Sequence, residues 1–280
     1  MTALALPRVA RGPAGRLLDA LIGRDRPLAL AGLALLALVP AFALGLALDP
    51  RTLHDAPIWL KPLKFALSLG VYLLTLAWFM GDLPDAVRRG RSAAAIRAIA
   101  LGAAGFEMAY IALQAARGLG SHYNVGDPFH AAMYGLMGVG AVALTAMSPW
   151  LGALVARYRP AHLAPALLWS IVLGLVLTFV LGAGSGAVLS AGDGHWIGGA
   201  RSDANALPLL GWSRTGGDLR AAHFLGMHAM HVLPAVGLLA ARRLPARAGV
   251  MTVLAAAAGY SALTGLVFWG AILGLPLVGL

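Results

Sequence analysis

The chain has 280 residues, 60% of them hydrophobic and 11% charged. Soluble proteins carry roughly 25% charged residues, so these charges are too few to clothe a water-soluble domain of this size. The net charge of +10 at pH 7 must be explained by its distribution, and the absence of cysteine excludes disulfides, thiolate metal sites, c-type haem attachment and a cysteine nucleophile.

Seven apolar runs long enough to cross a bilayer, about 20 residues each, follow one another at 27–48, 59–80, 94–117, 129–149, 162–190, 221–242 and 250–275. The sequence therefore predicts an all-α polytopic integral membrane protein, with residues 1–280 forming one transmembrane domain. Ahead of the first run, Leu17, Leu18, Leu21 and Ile22 between arginines suggest a short interfacial helix. The long basic segment and late apolar run read as a signal anchor rather than a cleaved leader.

The second run opens with Trp59, Lys61, Pro62, Lys64 and Phe65. Lysines three apart at a membrane entry either snorkel beside an aromatic belt residue or hold an anionic headgroup or acidic substrate. In the third run Glu107, Tyr110, Gln114 and Arg117 fall within an arc of about 80° at helical spacing, a polar stripe on an apolar helix. Glu107 sits roughly 15 Å below Arg117, near mid-membrane, where a carboxylate is costly unless neutral, partnered or turned inward.

The following loop contains Ser121, His122 and Tyr123 and ends in Asp127-Pro128, an N-cap and first-turn proline that put His130 in the first turn of the fourth span. Gly135, Gly138 and Gly140 in the fourth span, and Gly174, Gly182, Gly184 and Gly186 in the fifth, suggest small faces for close helix approach or oligomerisation. The fifth run is longer than one crossing needs, so it tilts, breaks near Gly182–Gly186 or projects outward. The turn-rich segment 191–220 reads as a lid.

Asp218 is placed to cap the sixth span or to pair with Arg220. Within that span His228 and His231 share a face, and His223 is about 80° away. Their depths of roughly 10 and 15 Å match those of Tyr110 and Glu107. The seventh span has Tyr260, Ser261 and Thr264 but no lysine or histidine. It therefore lacks the retinal lysine of microbial rhodopsins and the last-span histidines of the seven-span ceramidase-like hydrolases.

Fourteen arginines fall on alternate segments: Arg8 to Arg26, Arg88 to Arg97, Arg157 with Arg159, and Arg242 to Arg247. The remaining seven basic residues are balanced by seven acids, so the whole net charge lies on one side. That side is expected to be cytoplasmic, the amino terminus inside and the carboxyl terminus outside. No charge is left to call for nucleic acid. Composition suggests a multi-pass protein of a bacterial inner membrane.

Three chemistries suit the outer polar residues. His228, His231 and Glu107 could hold a zinc or iron ion with one position open for water, beside Tyr110 and Gln114, with Lys61, Lys64 and His122 on the headgroup of a lipid-like, quinone or small polar substrate. Alternatively His130 and His223 ligate a haem b whose propionates meet Arg117 and Arg220. Third, Glu107 and the histidines carry protons for a transporter or sensor. A buried polar network that only fixes packing is the fourth reading.

Overall fold

The structure, a computed structural model, describes residues 12–279; Arg8 and Arg11 of the basic segment lie outside them. It is helical, and seven of its helices or coaxial helix pairs are long and apolar enough to cross a membrane among the described residues.

Helix α1 (Pro13–Arg24) ends at Asp25, which caps α2 (Arg26–Ala37) by accepting from the Leu28 amide. Leu17 and Leu18 remain exposed on α1, as an interfacial helix requires. Pro40 has no amide to give the ladder, and the first span bends at Leu38 into α3 (Val39–Leu48). A two-residue hairpin, β1 (Thr52–Leu53) with β2 (Ala56–Pro57), turns through His54 and Asp55, both left-handed at φ 51° and 64°. Helix α4 (Leu60–Met80) is the second span, followed by the short α5 (Asp85–Arg88).

Helix α6 (Arg91–Arg117) ends at Gly118, whose φ of 76° lets Leu119 bond back to the Gln114 carbonyl. In α7 (Pro128–Tyr158), Asp127 caps the Phe129 and His130 amides. The fourth helix runs past Pro149 to Tyr158, further than the apolar run ending at 149 suggests, because membrane helices tolerate an internal proline. The fifth span is α8 (Pro165–Leu177), a π-helical stretch (Thr178–Ala183) and α9 (Gly184–Ala191). The lid then pairs β3 (Trp196–Ile197) with β4 (Gly217–Asp218) before α10 (Leu219–Arg243) and α11 (Ala246–Ile272).

Packing follows chain order: α4 lies on α2 and α6, α6 on α7, α7 on α8, and α10 on α8, α9 and α11. Helix α10 reaches α4 through side chains, notably His231 Nε2 at 3.0 Å from Thr75 Oγ1. At the basic end, the buried Asp82 accepts from Arg24 at 2.8 Å and lies 3.1 Å from His162, while Arg97 bonds Asp25 at 2.7 Å. Arg24 also covers the Trp78 ring at 4.0 Å. These contacts clamp the junction of α1 and α2 to α4, α6 and the loop before α8.

Candidate functional site

The segment 191–218, which the sequence reads as a lid, is tied together most densely around one arginine. Arg220 Nη2 is 2.7 Å from Asp218 and 2.9 Å from Asp203, and it also donates to the Gly211 carbonyl. Asp218 therefore does both things expected of it, since it also caps α10 through the Arg220 amide. Asp203 lies 3.4 Å from His195 Nε2. Burial alone would raise the Asp203 carboxyl, but hydrogen bonds from His195 and Arg220 outweigh it and hold it at about 2. Burial pushes His195 below its ordinary value, against the pull of Asp203. The lid also bonds the first hairpin, Ser202 to Asp55 and the Asp203 amide to the His54 carbonyl. Tyr123 and Tyr134 hydroxyls donate to the Leu189 and Ser190 carbonyls.

Beneath this roof the polar stripe of α6 turns inward. Glu107, Tyr110 and Gln114 are buried, whereas Arg117 is exposed and reaches back to Gln114. Gln114 donates to the Tyr110 hydroxyl and the Gly120 carbonyl. Glu107 is 3% exposed, and its Oε1 has no hydrogen-bond partner. Gly140 makes room for it, since a Cβ there would meet that oxygen at 3.2 Å. The cation acting on Glu107 is Lys61, which lies over the Phe65 ring at 5.9 Å and makes no hydrogen bond among the described residues. His122 packs against Phe65 and Tyr134, and burial together with Lys61 keeps it well below its ordinary value, hence neutral. Lys64 donates to the Leu210 carbonyl of the lid.

The histidines of α10 do not join this group. His228 and His231 bond to each other, Nδ1 to Nδ1 at 3.2 Å, and His231 continues to Thr75 on α4. Among the described residues no three His, Asp or Glu side chains gather as a metal site, and the structure does not bring Glu107, His228 and His231 together as one. The reason is topological: equal depth does not make neighbours, and α6 packs on α4 and α7 while α10 packs on α8, α9 and α11. Of the two histidines expected at a haem, His130 Nδ1 is 2.5 Å from its own cap Asp127, with Nε2 buried and without a hydrogen-bond partner among the described residues, and His223 Nδ1 bonds the Gly182 carbonyl at 2.8 Å. Arg117 and Arg220, assigned to propionates, are engaged with Gln114 and the lid aspartates.

Several residues of these networks carry no signal in the sequence. Asp203 meets both Arg220 and His195 across the lid, and Thr75 and Thr178 serve α10 from other spans, Thr178 accepting from the Met230 amide at 3.0 Å. An aspartate in a loop or a threonine in a span is unremarkable until its partner, far away in sequence, is placed.

Fold and site together define a polytopic helical membrane protein with buried ion-pair and polar networks at both ends of its bundle. Comparison with protein-family models, curated proteins and solved structures gives no significant match.

Proposed function

We propose that this is a proton-linked membrane carrier whose site lies beneath the lid, with Glu107 as the proton-carrying group and Lys61 as its counter-charge. One observation carries the reading: a carboxyl oxygen buried in the middle of a span without a hydrogen-bond partner. An ionised carboxylate there costs a few kcal/mol or more, so it must lean on Lys61 or hold a proton. A group with two such states, close to a cation and roofed by a latched loop, has the parts needed to pick up and release a proton. The basic end then faces the cytoplasm of a bacterial cell and the lid faces outward.

Infrared difference spectra of the purified protein across about pH 5 to 8 test it. A protonated-carboxyl band that changes with pH should vanish in Glu107→Gln and persist in Asp203→Asn. A spectrum unaltered by Glu107→Gln removes Glu107 as the carrier.

A second reading is favoured by the completeness of the remaining contacts, since Asp25, Asp82, Asp203 and Asp218 all have partners. On that reading the polar network only fixes packing. Glu107→Gln then leaves the spectra unchanged and destabilises the fold, because it leaves the Lys61 charge without its compensating carboxylate.

A further inference from the structure

The lid segment holds a cavity of its own, away from Glu107. Its volume is about 30 Å³, and it lies between two limbs of the segment, with Ala200, Ser202 and Asn205 on one side and Ser213, Arg214 and Thr215 on the other. One water needs roughly 10–15 Å³, so the space exceeds that of a single buried water. Asn205 and Thr215 are exposed and mark its mouth, whereas Ser213 is buried.

Both limbs are firmly held. A Cβ on Gly199 would meet the Thr215 oxygen at 2.7 Å, so the two limbs cross backbone to backbone. The Ser213 hydroxyl accepts from the Thr215 and Gly216 amides at 3.3 and 3.2 Å, and the Ser213 amide donates to Asp218 at 2.9 Å. On the opposite limb Ser202 donates to Asp55 at 2.7 Å and accepts from the Ala204 amide at 3.1 Å.

The chemistry of the walls is one-sided. Arg51 pairs with Asp49, Arg201 with Asp193 and Arg220 with Asp203 and Asp218. Arg214 is half-buried and has no carboxylate within ion-pair distance among the described residues. Its Nη2 donates to the Gly279 carbonyl at 3.3 Å, and its Nε is buried without any partner. An N–H of a charged group that is withheld from water and given no acceptor is costly. The Ser213 hydroxyl proton, the Thr215 hydroxyl and the Asn205 amide also donate to nothing among the described residues. No carboxylate lines the cavity, and Asp55 stands behind Ser202, whose hydroxyl it already accepts.

We propose that this cavity is a binding site for a phosphate group. The guanidinium fork of Arg214 meets two of its oxygens, and the Ser213 and Thr215 hydroxyls and the Asn205 amide meet the others. A planar carboxylate would occupy the fork and leave the Asn205 limb unmet. A bound phosphate therefore joins the two limbs of the lid segment. The site involves neither Glu107 nor Lys61 and stands apart from the carrier reading.

The test is calorimetric titration of the full chain, in detergent and chloride buffer, with inorganic phosphate, acetate and a soluble short-chain phosphatidic acid. Phosphate should bind once per chain with a dissociation constant of about 1 mM or tighter, and acetate about tenfold more weakly. Phosphatidic acid binding about tenfold or more tighter than phosphate supports the site with a lipid headgroup as its source, and a smaller difference supports it with the free ion. Arg214→Gln should weaken phosphate binding about tenfold or more, and Arg214→Lys, which keeps the charge and loses the fork, should fall between. Thr215→Val, at an exposed position, should weaken binding a few-fold without changing the melting temperature. Arg117→Gln, an exposed arginine elsewhere, and Glu107→Gln should bind phosphate as the parent does. Acetate binding as tight as phosphate overturns the assignment to phosphate. Absence of saturable binding, or an Arg214→Gln protein that binds phosphate as the parent does, overturns the site and leaves the role of Glu107 untouched.

Discussion

Gly226 and Gly182 press α10 and the π-helical stretch together backbone to backbone. A Cβ on Gly226 would meet the Gly182 nitrogen at 2.5 Å, and backbone atoms cannot step aside as a side chain can. Gly226→Ala should therefore cost about 1–3 kcal/mol. Denaturant or thermal unfolding in detergent would show it, against Gly135→Ala as a control that should change little because nothing lies within 4 Å of its Cβ position. Glycine in the sequence announces small faces but not which of them are used. Gly174, Gly182 and Gly186 sit against Ala229, Met227 and His223, whereas Gly135, Gly138 and Gly184 have open space around them. The polar stripe of α6 was easier to read, because helical spacing fixes which residues share a face. The longer-range influence of Lys61 on Glu107 was not, since nothing local ties residue 61 to residue 107.

At the scale of elements, the excess length of the fifth run and its glycines point to a break near Gly182, and the chain resolves it by widening the helix into a π turn at Thr178–Ala183. The irregularity leaves the Gly182 carbonyl to be met by His223, so that histidine serves a helix junction. The lid is the element with a pH dependence to be measured. His195 is held below its ordinary value, so the open lid takes the extra proton, and closure is strongest above about pH 6.5 and weakens as pH falls. Asp203 at about 2 keeps its contribution above about pH 4 and loses it as pH falls through 2, well below the His195 window. Hydrogen exchange at the Leu219 amide, which bonds the His195 carbonyl, should show falling protection from about pH 7 to pH 5 after correction for intrinsic rates. In His195→Gln that change should disappear. Protection that declines equally in both proteins would assign the pH dependence elsewhere.

For the whole molecule, the number of spans was legible because bilayer thickness sets helix length and few charges interrupt the runs. Which spans touch was not, because depth is a one-dimensional coordinate and neighbour choice depends on loops and packing. That gap is what separated Glu107 from His228 and His231. The charge distribution is likewise read in one dimension, yet the structure shows that some of those arginines have local duties: Arg24 and Arg97 neutralise the buried Asp82 and Asp25. Orientation then rests on the arginines that remain exposed, such as Arg89, Arg91, Arg242 and Arg243. The chain has no cysteine, so single cysteines can be introduced as position-specific reporters. Asp193→Cys at the lid and Arg243→Cys at the basic end both replace exposed side chains. In intact cells an impermeant maleimide should label position 193 and spare position 243 until the membrane is opened. The reverse pattern would put the lid segment in the cytoplasm and reverse the orientation that the charge distribution predicts.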